Sequence, residues 1–241
     1  MRVALLSDAH LAGPDDPNQR RLLRFLASLE ADRLCLLGDI FQHWWHFGAA
    51  PFPAYAPVVD ALRRFSLSFV PGNHDFHAAR YFRDVLGAEV APVLTPRWDG
   101  LAVHLTHGDE VDASFGYRAV SAVLRGRPFA AAVDAMGPDR AWRFLAHVSG
   151  HPSGTPNPAL CARQVALAAA RMREGFGLVV SGHTHAPGQH PVAGGTYVNL
   201  GDWVTHHTWL LVEDGRPTLL HRTADERDVP VAATRADECS V

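Results

Sequence analysis

The chain has 241 residues, 47% of them hydrophobic and 20% charged, and a formal net charge of −3. That length and balance fit one large globular domain, or one domain carrying an insertion, with a substantial core, and the weakly acidic charge gives no global drive toward nucleic acid. Cys35, Cys161 and Cys239 show no CxxC spacing, which argues against a disulfide framework, and no apolar run approaches the ~20 residues that span a bilayer.

In chain order, "RVALLS" from Arg2 reads as a buried strand ending at Ser7-Asp8. Its apolar run is too short for the core of a secretory signal, so a cytoplasmic location is expected. Residues 18–29 place Leu22, Leu23, Phe25, Leu26 and Leu29 at helical spacing. "DRLCLLGD" is a second strand ending at Gly38-Asp39, followed by an aromatic loop, "IFQHWWHFGAAPFPAY". A helix over 58–65, the strand "LSFVPGNHD", a helix over 78–86 and the strand "LAVHLTHGD" come next. Residues 110–173 then interrupt the alternation with helical pieces rich in Ala, Leu, Val and Arg, of which the last could instead pack on a sheet. "FGLVVSGHTH" restores the strand pattern, and "GGTYVNLGDW", "TWLLVED" and "RPTLLHRT" read as later strands with turns at Gly194-Gly195 and Asp214-Gly215. The expected organisation is a core of 1–109 and 174–223, a helical insertion of 110–173, and a polar, flexible tail of 224–241.

Alternating strands and helices predict an α/β layered fold. Five strands end in clusters of Gly, Asp, His or Asn, and in open α/β sheets ligands bind at the carboxyl ends of strands. Collected in order, those clusters supply Asp8, His10, Asp39, Asn73 with His74, His107, His183 and His185. Carboxylate, amide and imidazole donors without thiolate suit two divalent ions such as Mn²⁺, Fe²⁺ or Zn²⁺. Asp39 is the natural bridging carboxylate. Two such ions polarise a phosphoryl oxygen and lower the pKa of a bridging water, and His74 is placed to protonate a leaving group or stabilise developing charge. Asp75 and Asp109 read either as residues orienting their neighbours or as ordinary turn aspartates.

The series "DAH", "GD", "GNHD", "HGD", "GHTH" resembles the calcineurin-like metallophosphoesterase superfamily, with all five blocks in the family order between Asp8 and His185. The resemblance implies a four-layer α/β/β/α sandwich with a dinuclear centre. It assigns Asp8, His10, Asp39 and His185 to one ion, and Asp39, Asn73, His107 and His183 to the other. The insertion after "HGD", beginning near Gly116-Tyr117, and the later "YVNLGDW" are similar to the bacterial UDP-2,3-diacylglucosamine hydrolases of lipid A synthesis. That similarity implies a manganese-dependent hydrolase releasing UMP and a 2,3-diacylglucosamine 1-phosphate, a lid over an acyl-chain chamber, peripheral contact with the inner membrane, and Tyr117 and Arg143 as substrate-binding residues. The chain has no lysine, so arginines such as Arg118, Arg125, Arg127, Arg140 and Arg143 are the candidates for phosphate groups. The third block departs from the best-known lipid A hydrolases, which read Gly-Asn-Arg-Asp; here His74 replaces that Arg. The departure also fits a general phosphodiesterase or phosphatase acting on a soluble cyclic nucleotide or phosphoprotein.

Overall fold

The computed structural model describes residues 1–112, 114–149 and 157–232, apart from the side chains of Phe115, Tyr117 and Arg118. The first half of the chain forms β1 (Arg2–Leu6), α1 (Pro17–Ser28), β2 (Arg33–Leu36), a small hairpin of β3 (His46–Phe47) and β4 (Ala50–Pro51), α2 (Ala56–Leu62), β5 (Ser66–Phe69) and α3 (Ala78–Asp84). Next come β6 (Glu89–Val90), β7 (Val93–Leu94), β8 (Arg97–Trp98) and β9 (Leu101–Thr106), then α4 (Phe115–Leu124), α5 (Arg127–Met136), α6 (Pro138–Val148) and α7 (Pro158–Arg173). The chain closes with β10 (Leu178–Ser181), β11 (Gly188–Val192), β12 (Gly195–Asn199), β13 (Thr208–Glu213), β14 (Arg216–Arg222) and β15 (Asp228–Pro230).

A seven-stranded sheet runs in the order β15-β14-β13-β1-β2-β5-β6, and a six-stranded sheet is built on β11-β12-β10-β9-β7, with β8 beside β9. Side-chain alternation explains how the layers stack. On β1, Val3 and Leu5 face the second sheet, where they meet Val103, Leu105, Leu178 and Val180. Ala4 and Leu6 face the other way, into a cluster with Leu22, Phe25 and Leu26 of α1, Val58 and Leu62 of α2, and Phe82 of α3. The second sheet turns Val179 and Tyr197 outward onto Ala168 and Met172 of α7. The result is helix, sheet, sheet, helix, the layering expected from the motif series.

Two features at the element level bear on the expected organisation. Of residues 110–173, α4 to α6 dock beside the first helical layer, with Val133, Ala141 and Leu145 joining its cluster, whereas α7 lies on the outer face of the second sheet. The tail expected to be flexible is paired in part: β15 joins β14 antiparallel, with Leu220 opposite Pro230 and Arg222 opposite Asp228. Polar composition hid that strand because it lies at a sheet edge with all three residues exposed, where burial is not required of it. Cys35 and Cys161 are both buried.

Candidate metal centre

The parallel strand pairs do not stop at the strand ends. Asp8 N–H donates to Gly38, His10 N–H to Asp39 and Leu11 N–H to Ile40, which zips the loop after β1 to the loop after β2. Gly182 N–H donates to the His107 carbonyl and does the same for the loops after β9 and β10. The two sheets are joined at the Asp8 loop: His183 N–H donates to Asp8 Oδ2 at 3.0 Å, and Trp203 N–H to the Asp8 carbonyl at 3.0 Å.

The loops turn sharply as they do this. Asp8, His10, Asp39, His183 and His185 all hold positive φ, between 44° and 69°, a region in which Asp and His are among the more tolerated non-glycine residues. The motif glycines make room for the carboxylates: a Cβ on Gly72 would overlap Asp39 Oδ1, and one on Gly182 would overlap Asp8 Oδ2. Asp75 is buried and accepts from the N–H groups of Asp39, Ile40, Phe41 and Gly72. It therefore orients the loop that carries Asp39. Burial and the charge of Asp39 push its carboxyl up to about 6.

Three overlapping groups bring ligand atoms within 4.8 Å of one another: Asp8 with His10 and His185, His10 with Asp39 and His74, and Asp8 with Asp39 and His107. Asn73 Oδ1 lies 3.2 Å from His107 Nε2, and the His183 ring lies 5.2 Å from that of His107 between centroids. All seven expected ligand positions and His74 thus gather around one point between the two sheets.

The hydrogen bonds test whether this gathering suits cations. His107 Nδ1–H donates to the Leu37 carbonyl at 2.7 Å. In the neutral ring its Nε2 then carries a lone pair, aimed at Asp39 Oδ2 at 3.5 Å and Asn73 Oδ1. His10 Nδ1–H donates to Gln42 Oε1 at 3.0 Å, while the Gln42 amide N–H donates to the Ser149 carbonyl, which fixes the amide's orientation. The His10 Nε2 lone pair therefore faces His185 Nε2, 3.2 Å away. Asp8 Oδ1 is buried with no well-aligned hydrogen bond, and His185 Nε2 lies 3.3 Å from it. Electron pairs converging in a buried site make a cation-binding donor set. The local field agrees. Burial alone would lower the His107 pKa, but Asp39 and Asp8 raise it well above the ordinary imidazole value. At His10 burial prevails and lowers the pKa to about 4, which keeps that ring neutral.

His74 donates its backbone N–H to Asp39 Oδ1 at 2.8 Å and its Nδ1–H to the Gln42 carbonyl at 3.1 Å. Beside it opens a cavity of about 410 Å³ whose lining includes Asn73, His74, Phe76, Leu124, Phe129 and Leu145. Its far wall comes from α4, α5 and α6. Much of the aromatic loop after Asp39 is core: Phe41, Trp44, Trp45 and Phe52 are buried. The Trp45 indole donates to Asp134 of α5 at 2.9 Å, which ties the insertion down.

Arg143 does not join this arrangement; it lines a different cavity with Pro53, Ala54 and Trp142. The side chain of Tyr117 lies outside the described residues. Two residues of the centre had no motif to announce them. Gln42 follows the "GD" block, and Gln164 is a buried polar residue on the alanine-rich helix α7. A polar side chain on a buried helix face was the available signal for Gln164.

The calcineurin-like phosphoesterase family model matches residues 1–187. The chain belongs to the calcineurin-like phosphoesterase family. It is 30% identical over 246 residues to the UDP-2,3-diacylglucosamine hydrolase of Chromohalobacter salexigens, covering 93% of this chain and 98% of that one. It is 31% identical over 242 residues to the protein of the same name from Stenotrophomonas maltophilia, covering 89% and 96%. Among solved structures, Vps29 of Chaetomium thermophilum matches with a TM-score of 0.52 at 10% identity over 96% of each chain, a likeness of fold. Family and hydrolase relatives together make this chain a metal-dependent phosphoester hydrolase.

Proposed function

We propose that the enzyme cleaves the phosphoanhydride of UDP-2,3-diacylglucosamine, releasing UMP and 2,3-diacylglucosamine 1-phosphate. The observation that carries this reading is the cavity beside His74, whose insertion wall is formed by Val120, Leu124, Phe129, Leu145 and Val148. A soluble phosphoester needs no apolar chamber next to the reacting group; a diacylated sugar does. The names of the relatives support the same substrate.

In this reading Asp8, His10, Asp39 and His185 hold one divalent ion, and Asp39, Asn73, His107 and His183 hold the other, with Mn²⁺ the expected metal. Such a pair supplies Lewis-acid neutralisation of phosphoryl charge and activation of water at neutral pH. The chain's own groups do the remaining work. His74, whose Nδ1–H donates to the Gln42 carbonyl, would in its imidazolium form also present Nε2–H, to neutralise charge on the phosphoryl oxygens or to give that proton to the leaving oxygen. Exposed Val120 and Val123 beside Arg125, whose guanidinium lies over Phe76, suit contact with the membrane surface from which such a lipid is drawn. No helix among the described residues is long and apolar enough to cross a membrane.

The test is UMP release from UDP-2,3-diacylglucosamine in detergent by Mn²⁺-loaded enzyme, beside hydrolysis of bis-p-nitrophenyl phosphate. Fast UMP release is expected. Turnover of the simple diester with none of the lipid would leave a phosphodiesterase for soluble substrates, with His74 as its mark.

A further inference from the structure

From its contacts we infer that Gln164 of α7 is a positioning residue for the metal centre, setting the spacing of His107, His183 and His185. Gln164 is 2% exposed and touches none of these rings. Its amide N–H groups donate to the Gly108 carbonyl at 3.4 Å and the Gly182 carbonyl at 3.0 Å. Its Oε1 accepts from the Thr184 hydroxyl, the Tyr197 hydroxyl and the Asn199 amide, each at 3.0 Å. Gly108 follows His107, Gly182 precedes His183, and Thr184 lies between His183 and His185. One side chain therefore bonds to a chain neighbour of every histidine that the second sheet contributes.

The packing leaves room for this amide and little else. Gly108 has φ +105°, and a Cβ there would overlap Gln164 Nε2. The ring of partners is closed: Asn199 Nδ2 also donates to the Gly182 carbonyl and to Thr184 Oγ1, and Tyr197 OH pairs with Ser181 Oγ. Donors surround the amide oxygen and carbonyls face the amide nitrogen, so its orientation is fixed. Such a network holds two loops at one separation, and ligands preset at that separation bind an ion without first being ordered.

The inference rests on the cluster being a metal centre, and the experiment separates the two. Mn²⁺ binding to purified, chelator-stripped full-length protein is measured by calorimetry for wild type, Gln164→Met and Tyr197→Phe, with thermal unfolding in EDTA as the control for folding. Met approximates the volume of Gln and removes both halves of the amide. Its Mn²⁺ Kd should rise by roughly 10- to 100-fold while the protein remains folded in EDTA. Tyr197→Phe removes one donor to Oε1 and should raise Kd by a few-fold. If Gln164→Met does not fold, Tyr197→Phe decides by the same readout. Variants that bind Mn²⁺ within twofold of wild type overturn the role of Gln164. Wild-type protein that binds no Mn²⁺ overturns the metal reading itself.

Discussion

Left-handed backbone at Asp8, His10, Asp39, His183 and His185 costs on the order of 1–3 kcal/mol per residue, and it persists because buried carboxylates and backbone amides hold each turn. Gly72 shows how little slack there is, since any Cβ meets the Asp39 carboxylate. Gly72→Ala should therefore lower turnover of a simple diester by roughly 10²-fold and reduce bound metal; wild-type values would mean the loop yields. His74→Ala should lower turnover by roughly 10²- to 10⁴-fold with metal content retained, and an unchanged rate would remove His74 from the chemistry. Asp202 carries a pH prediction. Burial alone would raise its carboxyl, but the His206 ring and the N–H groups of Thr205 and His206 hold it at about 2, below the ordinary 3.8. A depressed native pKa stabilises the fold above about pH 4, and that contribution is lost as pH falls toward 2. Asp202→Asn should then cost about 1–2 kcal/mol at pH 7, and its gap from wild type in denaturant unfolding should shrink near pH 2.5. An equal gap at both pH values would contradict this account.

At the scale of elements, five strand-end clusters were legible because a strand must be apolar where it is buried and turns polar where it meets a site. That contrast marked Asp8, Asp39, Asn73, His107 and His183 without any structure. The bonds that hold them were not legible. Gln42 and Gln164 act through contacts with residues distant in sequence, and a glutamine carries no local signal of that. β15 was missed for a related reason, since an edge strand needs no apolar face. The insertion was readable as helical, but its partner was not: its apolar residues both join the core beside the first helical layer and line the cavity beside His74. Leu124 lies on the chamber wall. Leu124→Arg should lower the ratio of kcat/KM for the diacylated substrate over that for bis-p-nitrophenyl phosphate at least tenfold, because a buried guanidinium would face acyl chains. A ratio unchanged within twofold would mean that the chamber does not receive the lipid.

The centre lies where the two sheets meet, and that position governs the whole molecule. Asp8, His10, Asp39, Asn73 and His74 follow strands of the seven-stranded sheet, while His107, His183 and His185 follow strands of the six-stranded sheet. At this edge the sheets touch through the bonds of Asp8 to His183 and Trp203, of His107 to the Leu37 carbonyl and Asn73, the approach of His10 to His185 and the carboxylate–imidazole contacts of the centre itself. Ions seated there would draw ligands from both sheets and so couple them. The unfolded chain cannot assemble such a site, so binding should stabilise the native state by about 2.7 kcal/mol at a free-ion concentration of 100 times Kd. For a chain of this size that corresponds to a rise in Tm of roughly 5–10 °C. Melting the EDTA-treated protein and repeating the scan over a Mn²⁺ titration measures it directly. A Tm that climbs with the logarithm of Mn²⁺ concentration is expected. It should do so less steeply in His107→Ala, which removes an imidazole of the second sheet while leaving the seven-stranded sheet's donors in place. A Tm indifferent to the ion would mean that the convergence of strand ends is polar capping between two sheets rather than a metal centre.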